Sequence, residues 1–203
     1  MVLQKTKPSF KIENKHWDLG IQDVIGIDEV GRGAFAGPIT AAGVIFKPHF
    51  THEKLTEIRD SKKLSPKKRE ELSIFIKENS IWAIESVDIE HINKYGIGSA
   101  NQKVIRKVLS KLMPRSSNYF ILIDGFDLGI PRQQGIVNGD NLSISIASAS
   151  IIAKVYRDKI MCDLAKEFPE YAFDKNKGYG TLQHRNAIKI YKLSKIHRTS
   201  FNI

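Results

Sequence analysis

The sequence predicts a domain of the α/β or mixed α+β class, in which strands and helices follow one another along the chain. Short apolar runs of strand length are separated by longer segments whose apolar residues have helical spacing. Hydrophobic residues make up 41% of the 203 residues, which is enough to form a buried core in a single domain. Two of the apolar runs end on an acid, and strand ends are where open α/β sheets place their ligands.

Four segments have the composition of strands, and we expect them to form the central sheet. The second is apolar almost throughout, as expected for a central strand. The first and the fourth lead directly into acidic residues. The four segments are Val24–Asp28, Ile39–Phe46, Ile81–Val87 and Tyr119–Ile123.

Three segments have helical patterns. Ser65 followed by Pro66 is a favourable helix start, because serine caps the first turn and proline fits the first helical position. Helical spacing is also seen from Val104 to Leu112, and Pro114 marks the expected end of that helix. The longest helical pattern runs from Ile144 to Phe168.

The two ends of the chain differ from the middle. Residues 1–20 show no periodicity, and we expect a loosely attached lead-in without an assigned role. From about residue 169 to residue 203 the chain becomes aromatic and basic, and we expect this C-terminal extension to bind substrate. Both ends are expected to belong to the same single domain.

Composition restricts the classes of function. The formal net charge is +10, with 32 basic and 22 acidic residues, which indicates an electrostatic surface for nucleic acid, although a merely basic soluble protein remains the alternative. The single cysteine, Cys162, excludes an internal disulfide and a multi-cysteine zinc site. No apolar segment approaches the roughly 20 residues that span a bilayer, and no secretory signal is recognisable. We therefore expect a cytoplasmic protein that does not contact membranes.

Adjacent acids at the end of the first strand are the strongest indication of chemistry. Asp28 and Glu29 follow a buried run, where they repel each other and lose hydration. A divalent cation would relieve both effects. Asp124 ends the fourth strand and is the natural third ligand. A solvated or capping role is the ordinary alternative for any one of these acids.

A fourth acid lies in the long helix. The inward stripe of that helix reads Ala147, Ile151, Val155, Asp158 and Cys162, so Asp158 is predicted to face the sheet. A structural salt bridge to a neighbouring Lys or Arg is the alternative. Four converging carboxylates suit Mg²⁺ or Mn²⁺, which prefer oxygen ligands. Two such ions roughly 3.5–4 Å apart would support phosphodiester hydrolysis.

Three further segments are candidates for substrate binding. Gly31, Arg32 and Gly33 follow the acids, and their backbone can approach a sugar or phosphate closely, although a tight turn alone also favours glycine. Ser61, Lys62 and Lys63 can clamp a phosphate at the start of a helix, although paired lysines are often only solvated. Tyr179, between two glycines, can stack on a sugar or base, or can simply pack in a turn.

At these residues the sequence resembles the type 2 ribonuclease H family, ribonuclease HII, over nearly all of the chain from Val24 to Phe201. The resemblance is carried by an ordered set of motifs. They are Gly26 to Gly33, Ala36 to Pro38, Asp60 to Ser65, Ile123 to Gly125, Gly139-Asp140, Ser145 to Asp158, Gly178 to Thr181 and His197 to Phe201.

The resemblance implies a ribonuclease H-like fold, with a mixed central sheet flanked by helices and a helical C-terminal extension. It also implies cleavage of RNA in RNA–DNA hybrids and incision 5′ of single ribonucleotides embedded in duplex DNA, leaving 3′-hydroxyl and 5′-phosphate ends. Ala34 departs from the family pattern, in which proline is common. The implied roles are metal binding and catalysis for Asp28, Glu29, Asp124 and Asp158, recognition of the 2′-hydroxyl for Gly31, Arg32 and Gly33, and stacking at the ribose-to-deoxyribose junction for Tyr179.

Two other classes of function remain open. One is a different metal-dependent nuclease or strand-transferase of the same broad fold, such as a junction resolvase. The other is a non-catalytic domain that binds nucleic acid without metal. We expect a monomer whose cofactor is Mn²⁺ or Mg²⁺, with two ions per active site.

Overall fold

The computed structural model describes residues 7–112 and 118–202, and within them five strands form one mixed sheet. The spatial order is β3-β2-β1-β4-β5. The central strand β1 pairs antiparallel with β2 and parallel with β4, so the sheet is mixed as predicted. The strands are β1 (Asp23–Val30), β2 (Ile39–Ile45), β3 (Ile81–Val87), β4 (Tyr119–Asp124) and β5 (Gln133–Ile136).

Strand β5 has no counterpart in the sequence prediction. Only its last residue, Ile136, is buried, and it begins with the two polar residues Gln133 and Gln134. A short strand of this composition lacks the apolar run that identifies a strand from sequence. It pairs parallel with β4 at the edge of the sheet.

The three predicted helices are present, although the second begins at Ile89, well before the helical spacing predicted from Val104. The side chain of Ser65 accepts a hydrogen bond from the backbone N–H of Lys68 at 3.2 Å, which confirms the predicted helix start. The predicted stop at Pro114 lies outside the described residues. The helices are α1 (Lys11–Trp17), α2 (Pro66–Asn79), α3 (Ile89–Leu112, kinked at Gly96), α4 (Ile144–Glu167), α5 (Phe173–Asn176) and α6 (Leu182–Tyr191).

The helices cover both faces of the sheet, and the alternation of side chains along β2 shows the two layers. Ile39 and Ala41 point into a core shared with α3, whereas Ala42 and Val44 point into a core shared with α2 and α4. Helix α4 lies directly on β1, because a Cβ atom at Gly26 would overlap the helix backbone. This close contact fixes α4 beside the acidic end of β1.

The N-terminal segment is more ordered than the sequence predicted. Residues 11–17 form helix α1, and Glu13 is fully buried at the start of α4. Its carboxylate accepts hydrogen bonds from the Ser143 hydroxyl at 2.6 Å and from the Ser145 N–H at 2.9 Å. The expectation of a loose lead-in is therefore wrong for residues 7–20, and residues 1–6 lie outside the described part. A single buried carboxylate anchors this helix, and a seven-residue helix is too short to show clear periodicity.

The C-terminal segment is helical, as predicted, and forms its own small core against the end of α4. Met161 of α4 packs there with Tyr171, Phe173 and Ala187. Ala36, from the loop after β1, belongs to the same cluster. The extension therefore contacts the loop that follows the acidic strand end. None of the described helices has the length and apolar character needed to cross a bilayer.

Candidate active site

Two acids come together because β1 and β4 are parallel neighbours. Ile27 lies opposite Ile123, so Asp28 and Asp124 follow side by side at the same edge of the sheet. With Glu29 they line a cavity of about 450 Å³, which we call the acidic pocket. Its lining residues are Asp28, Glu29, Val30, Gly31, Arg32, Gly33, Ser61, Lys62, Asp124, Ser150, Lys154 and Tyr179.

Asp28 is the most strongly perturbed acid of the pocket. Its side chain is buried, and one carboxylate oxygen accepts the backbone N–H of Glu29 at 2.7 Å. Burial raises the pKa of Asp28 well above its usual value, and the charges of Glu29, Asp124 and Asp140 raise it further. A hydrogen bond from Ser150 acts in the opposite direction. A bound cation would stabilise the ionised form of this group.

The neighbouring acid, Glu29, has an unsatisfied oxygen. Burial raises the pKa of Glu29, while the charge of Arg32 lowers it, and the two side chains are 3.9 Å apart. The second carboxylate oxygen, Oε2, is buried and has no hydrogen-bond partner among the described residues. A buried anionic oxygen without a partner is costly, so this atom fits the role of a ligand to a divalent cation.

Asp140 is the fourth acid of this region, and it is not among the acids predicted from the sequence. It is 7% exposed and lies in the turn before α4. Burial raises its pKa, and the charges of Asp60 and Asp124 add to the effect. The turn is attached to the pocket, because the N–H of Gly139 donates to Asp124 Oδ1 at 2.6 Å. The Gly139-Asp140 motif was the signal in the sequence that could have identified it.

Asp158, the fourth acid in the prediction, is not brought to the other three. Its carboxylate pairs with Lys154 Nζ at 2.7 Å and with Arg69 Nη2 at 3.6 Å. Helix α4 instead turns Arg157 and Met161 inward at this level, so the predicted stripe is displaced. The salt bridge that the sequence left as an alternative is the arrangement found.

Asp158 lines a different cavity of about 740 Å³, which we call the basic cavity. Lys154 lines both cavities. The lining residues of the basic cavity are Pro66, Arg69, Glu70, Lys154, Val155, Asp158, Lys159, Cys162, Asp174, Lys175 and Lys177.

The acids share the pocket without being gathered into a finished metal site. Across residues 7–112 and 118–202, no three His, Cys, Asp or Glu side chains are grouped closely enough to hold an ion as they stand. Like charges repel one another, and two of the acids satisfy oxygens on nearby backbone N–H groups. The donor set is nevertheless all oxygen, which suits Mg²⁺ or Mn²⁺.

The predicted glycine-rich segment and the predicted tyrosine lie on one wall of the acidic pocket. Gly31 has a φ of 87°, and its carbonyl accepts the N–H of Ala34 at 3.3 Å in a tight turn. The ring of Tyr179 lies under Lys154 Nζ, 5.8 Å from the ring centre. The N–H of Phe35 donates to the Gly178 carbonyl at 2.8 Å, so the two segments are directly connected.

The predicted phosphate clamp is only partly assembled at the pocket. Ser61 and Lys62 line it, and the Ser61 hydroxyl is 3.0 Å from the hydroxyl of Ser150. Lys63 does not line it, because its ammonium group bonds to Asn141 and pairs with Asp60 at 3.5 Å. Among the predicted site residues, only Lys63 and Asp158 are outside the acidic pocket.

Comparison with a family model and with known relatives identifies one family, ribonuclease HII. The family model described as Ribonuclease HII matches residues 25–203. A ribonuclease HII of Acholeplasma laidlawii is 43% identical over 198 residues, covering 97% of this chain and 95% of the relative. A second ribonuclease HII, of Clostridium botulinum (strain Loch Maree / Type A3), is 47% identical over 183 residues, covering 88% of this chain and 67% of the relative.

A solved structure shares the fold. The chain resembles RNase HII in the PCNA:RNase HII complex from Archaeoglobus fulgidus, with a TM-score of 0.73 and 24% sequence identity. The match covers 89% of this chain and 96% of that one. At this level of identity, the likeness shows a ribonuclease H-like fold.

Proposed function

The chain belongs to the ribonuclease HII family, and we propose that it cleaves the RNA strand of RNA–DNA hybrids and incises 5′ of single ribonucleotides in duplex DNA. As a family member it is an enzyme, a metal-dependent nuclease that hydrolyses phosphodiester bonds. The observation that carries the proposed substrate is the position of Gly31, Arg32, Gly33 and Tyr179 on the wall of the pocket that holds the acids.

We assign the metal-binding role to Asp28, Glu29 and Asp124, with Asp140 in place of Asp158. Mn²⁺ or Mg²⁺, with two ions per site, is the proposed cofactor. When bound, the ions would activate a water molecule and stabilise the departing 3′-oxygen. The support is the burial of these carboxylates, their mutual repulsion and the unpartnered oxygen of Glu29.

The chain's own groups orient the substrate. The backbone of Gly31 and Gly33 can approach the ribose, and its N–H groups are suited to bind the 2′-hydroxyl, which distinguishes RNA from DNA. Tyr179 offers a ring face beside the ribose-to-deoxyribose junction. Lys62 supplies charge for a phosphate at the pocket, independent of base sequence. Attack of water on the phosphorus with departure of the 3′-oxygen would leave 3′-hydroxyl and 5′-phosphate ends.

The proposal extends to the setting of the enzyme, which we place in the cytoplasm as a monomer. Its substrates would be RNA–DNA hybrids and ribonucleotide-containing DNA, without a membrane partner. The formal net charge of +10 supports a polyanionic substrate.

The experiment compares three labelled duplexes of one sequence: all DNA, DNA with one ribonucleotide, and an RNA–DNA hybrid. Mg²⁺ and Mn²⁺ are titrated separately, with EDTA as the control. We expect a single cut 5′ of the ribonucleotide, cleavage of the hybrid, and no cleavage of DNA. Equal cleavage of the all-DNA duplex would indicate another nuclease of this fold. Binding without cleavage at any metal concentration would indicate a non-catalytic domain.

A further inference from the structure

Two arginines are the largest fully buried side chains among the described residues. Arg157 lies on α4, and Arg198 lies in the C-terminal segment after α6. Neither forms an ion pair with a carboxylate within the described part of the chain; every hydrogen bond of their guanidinium groups goes to a backbone carbonyl. Burial of a cation without a counter-charge is costly, so the positions of the accepting carbonyls are informative.

Arg157 joins the two segments that form one wall of the acidic pocket. Its Nε donates to the carbonyl of Pro38 at 2.8 Å, and its Nη2 donates to that of Ala36 at 3.1 Å. On the other side, Nη1 donates to the carbonyl of Lys177 at 2.9 Å, two residues before Tyr179. One side chain therefore links the loop at Ala36 and Pro38 to the segment at Lys177.

The same guanidinium lies directly against the turn after β1. A Cβ atom at Gly31 would overlap the Arg157 side chain, and Gly31 has the positive φ that glycine adopts readily. The turn thus follows the shape of the buried cation beneath it. Displacement of Arg157 would leave both the turn and three carbonyl groups without support.

Arg198 holds the same loop from the C-terminal side. Its Nη1 donates to the carbonyl of Arg32 at 3.0 Å. Its Nε and Nη2 both donate to the carbonyl of Gly37, at 3.0 and 2.8 Å. Burial, together with the charge of Arg157, lowers the pKa of Arg198 to about 9.

The contact to Arg32 acts on the group that faces the substrate. The carbonyl of Arg32 and the N–H of Gly33 belong to one peptide unit. A charged donor on the carbonyl polarises that unit and makes its N–H a better hydrogen-bond donor. The loop is also fixed before substrate arrives, which reduces the entropy lost on binding.

We propose that Arg157 and Arg198 are positioning residues for ribose selectivity, which fix and polarise the Gly31 to Gly33 backbone from beneath without touching the substrate. This inference rests on the proposed function, because it assigns the 2′-hydroxyl to that backbone. It adds that the discrimination between ribose and deoxyribose depends on two buried cations outside the pocket.

The test uses Arg198→Lys and Arg157→Lys, which keep the charge but lose the fork of donors. Arg106→Lys, on the exposed surface of α3, is the matched control. Cleavage of a duplex with one ribonucleotide gives kcat and KM, and an all-DNA duplex of the same sequence gives Ki as a competitor. We expect kcat/KM to fall about tenfold in each buried variant, mainly through KM, while the Ki for DNA stays within about twofold.

A merely structural role would lower kcat through loss of folded enzyme and would leave KM and Ki unchanged, and that result would overturn the inference. Unchanged kcat/KM in a folded variant would overturn it too. If the unaltered protein shows no preference for ribose, the proposed function itself fails. The two failures are therefore distinguishable.

A second measurement requires no variant, in case the lysine substitutions prevent folding. The Nε–H signals of the arginines are followed by NMR in the unaltered protein, in EDTA so that cleavage does not occur. We expect the signals of Arg157 and Arg198 to shift with the ribonucleotide duplex and to shift much less with the all-DNA duplex. Equal shifts with both duplexes would contradict the inference.

Discussion

The acidic pocket and the basic cavity share Lys154 in their walls, but the charges around their carboxylates differ. In the acidic pocket, Asp28 is surrounded by other acids. In the basic cavity, Asp158 is already neutralised by Lys154 and Arg69. Arg32 and Lys62 also lie near the acidic pocket, but their charges do not cancel the effect of burial, and the pKa of Glu29 stays raised. Asp158, in contrast, pairs directly with two cations. We therefore propose that direct pairing with cations, rather than residue type, separates Asp158 from the acids assigned to metal binding.

The largest effect is expected for Asp124→Asn. The change removes one negative charge from the proposed metal-binding acids, and it should lower cleavage of the single-ribonucleotide duplex by about 100-fold or more. Circular dichroism should show an intact fold. The control is Asp163→Asn, an exposed position on α4, which should leave the rate unchanged. Near-normal turnover in Asp124→Asn would contradict the assignment.

The next test compares the two candidates for the fourth acid. Asp140→Asn should reduce kcat about as strongly as Asp124→Asn, because Asp140 lies close enough to Asp124 for the charge of Asp124 to raise the pKa of Asp140. Asp158→Asn should reduce kcat less than about tenfold, because it frees Lys154 and Arg69 without touching the acid group. Steady-state kinetics at saturating Mg²⁺ measures both. The reverse order of effects would restore Asp158 as the fourth ligand.

These two acids also show what sequence could and could not establish. The first and fourth strands are local patterns, and they placed Asp28 near the end of β1 and Asp124 at the end of β4, as found. Asp140 follows a glycine in a short turn with no periodicity, so its position depends on how the turn packs against Asp124. The inward position predicted for Asp158 depended on the apolar face of α4 continuing unchanged along the helix. In the structure, Arg157 is buried at this level instead. The i, i+4 spacing of Lys154 and Asp158 was the local sign of a salt bridge.

The pH dependence of stability provides a further test of the difference between the acids of the acidic pocket and Asp158. Burial raises the pKa of Asp28, Glu29 and Asp140, so the folded protein binds these protons more tightly than the unfolded chain does. Their contribution to the free energy of unfolding of the metal-free protein therefore falls as pH rises from about 4 through the raised pKa values. Divalent ions compete with these protons. Addition of Mg²⁺ should consequently raise the Tm more at pH 8 than at pH 6.

Calorimetric unfolding in EDTA and in excess Mg²⁺, at both pH values, measures this difference. Asp158→Asn is a useful companion, since it should keep the larger metal-induced rise at the higher pH. A rise that is equal at both pH values would indicate that the raised pKa values do not belong to the metal-binding groups.

The smallest effect concerns the two adjacent lysines. Lys62 lines the acidic pocket, whereas Lys63 bonds to Asn141 and Asp60. Lys62→Gln should lower the slope of log affinity against log salt by about 1, the value for loss of one phosphate contact. Lys63→Gln should leave the slope unchanged. Fluorescence anisotropy with an all-DNA duplex over a salt series measures both slopes. Equal slopes for the two variants would show that position in the pocket does not decide phosphate contact.

Calorimetric titration of Mn²⁺ into the unaltered protein, Asp140→Asn and Asp158→Asn tests most directly whether Asp140, rather than Asp158, is the fourth metal-binding acid. We expect the unaltered protein and Asp158→Asn to bind Mn²⁺ with similar affinity, and Asp140→Asn to bind it at least about tenfold more weakly. Strong binding that survives in Asp140→Asn but is lost in Asp158→Asn would contradict this expectation.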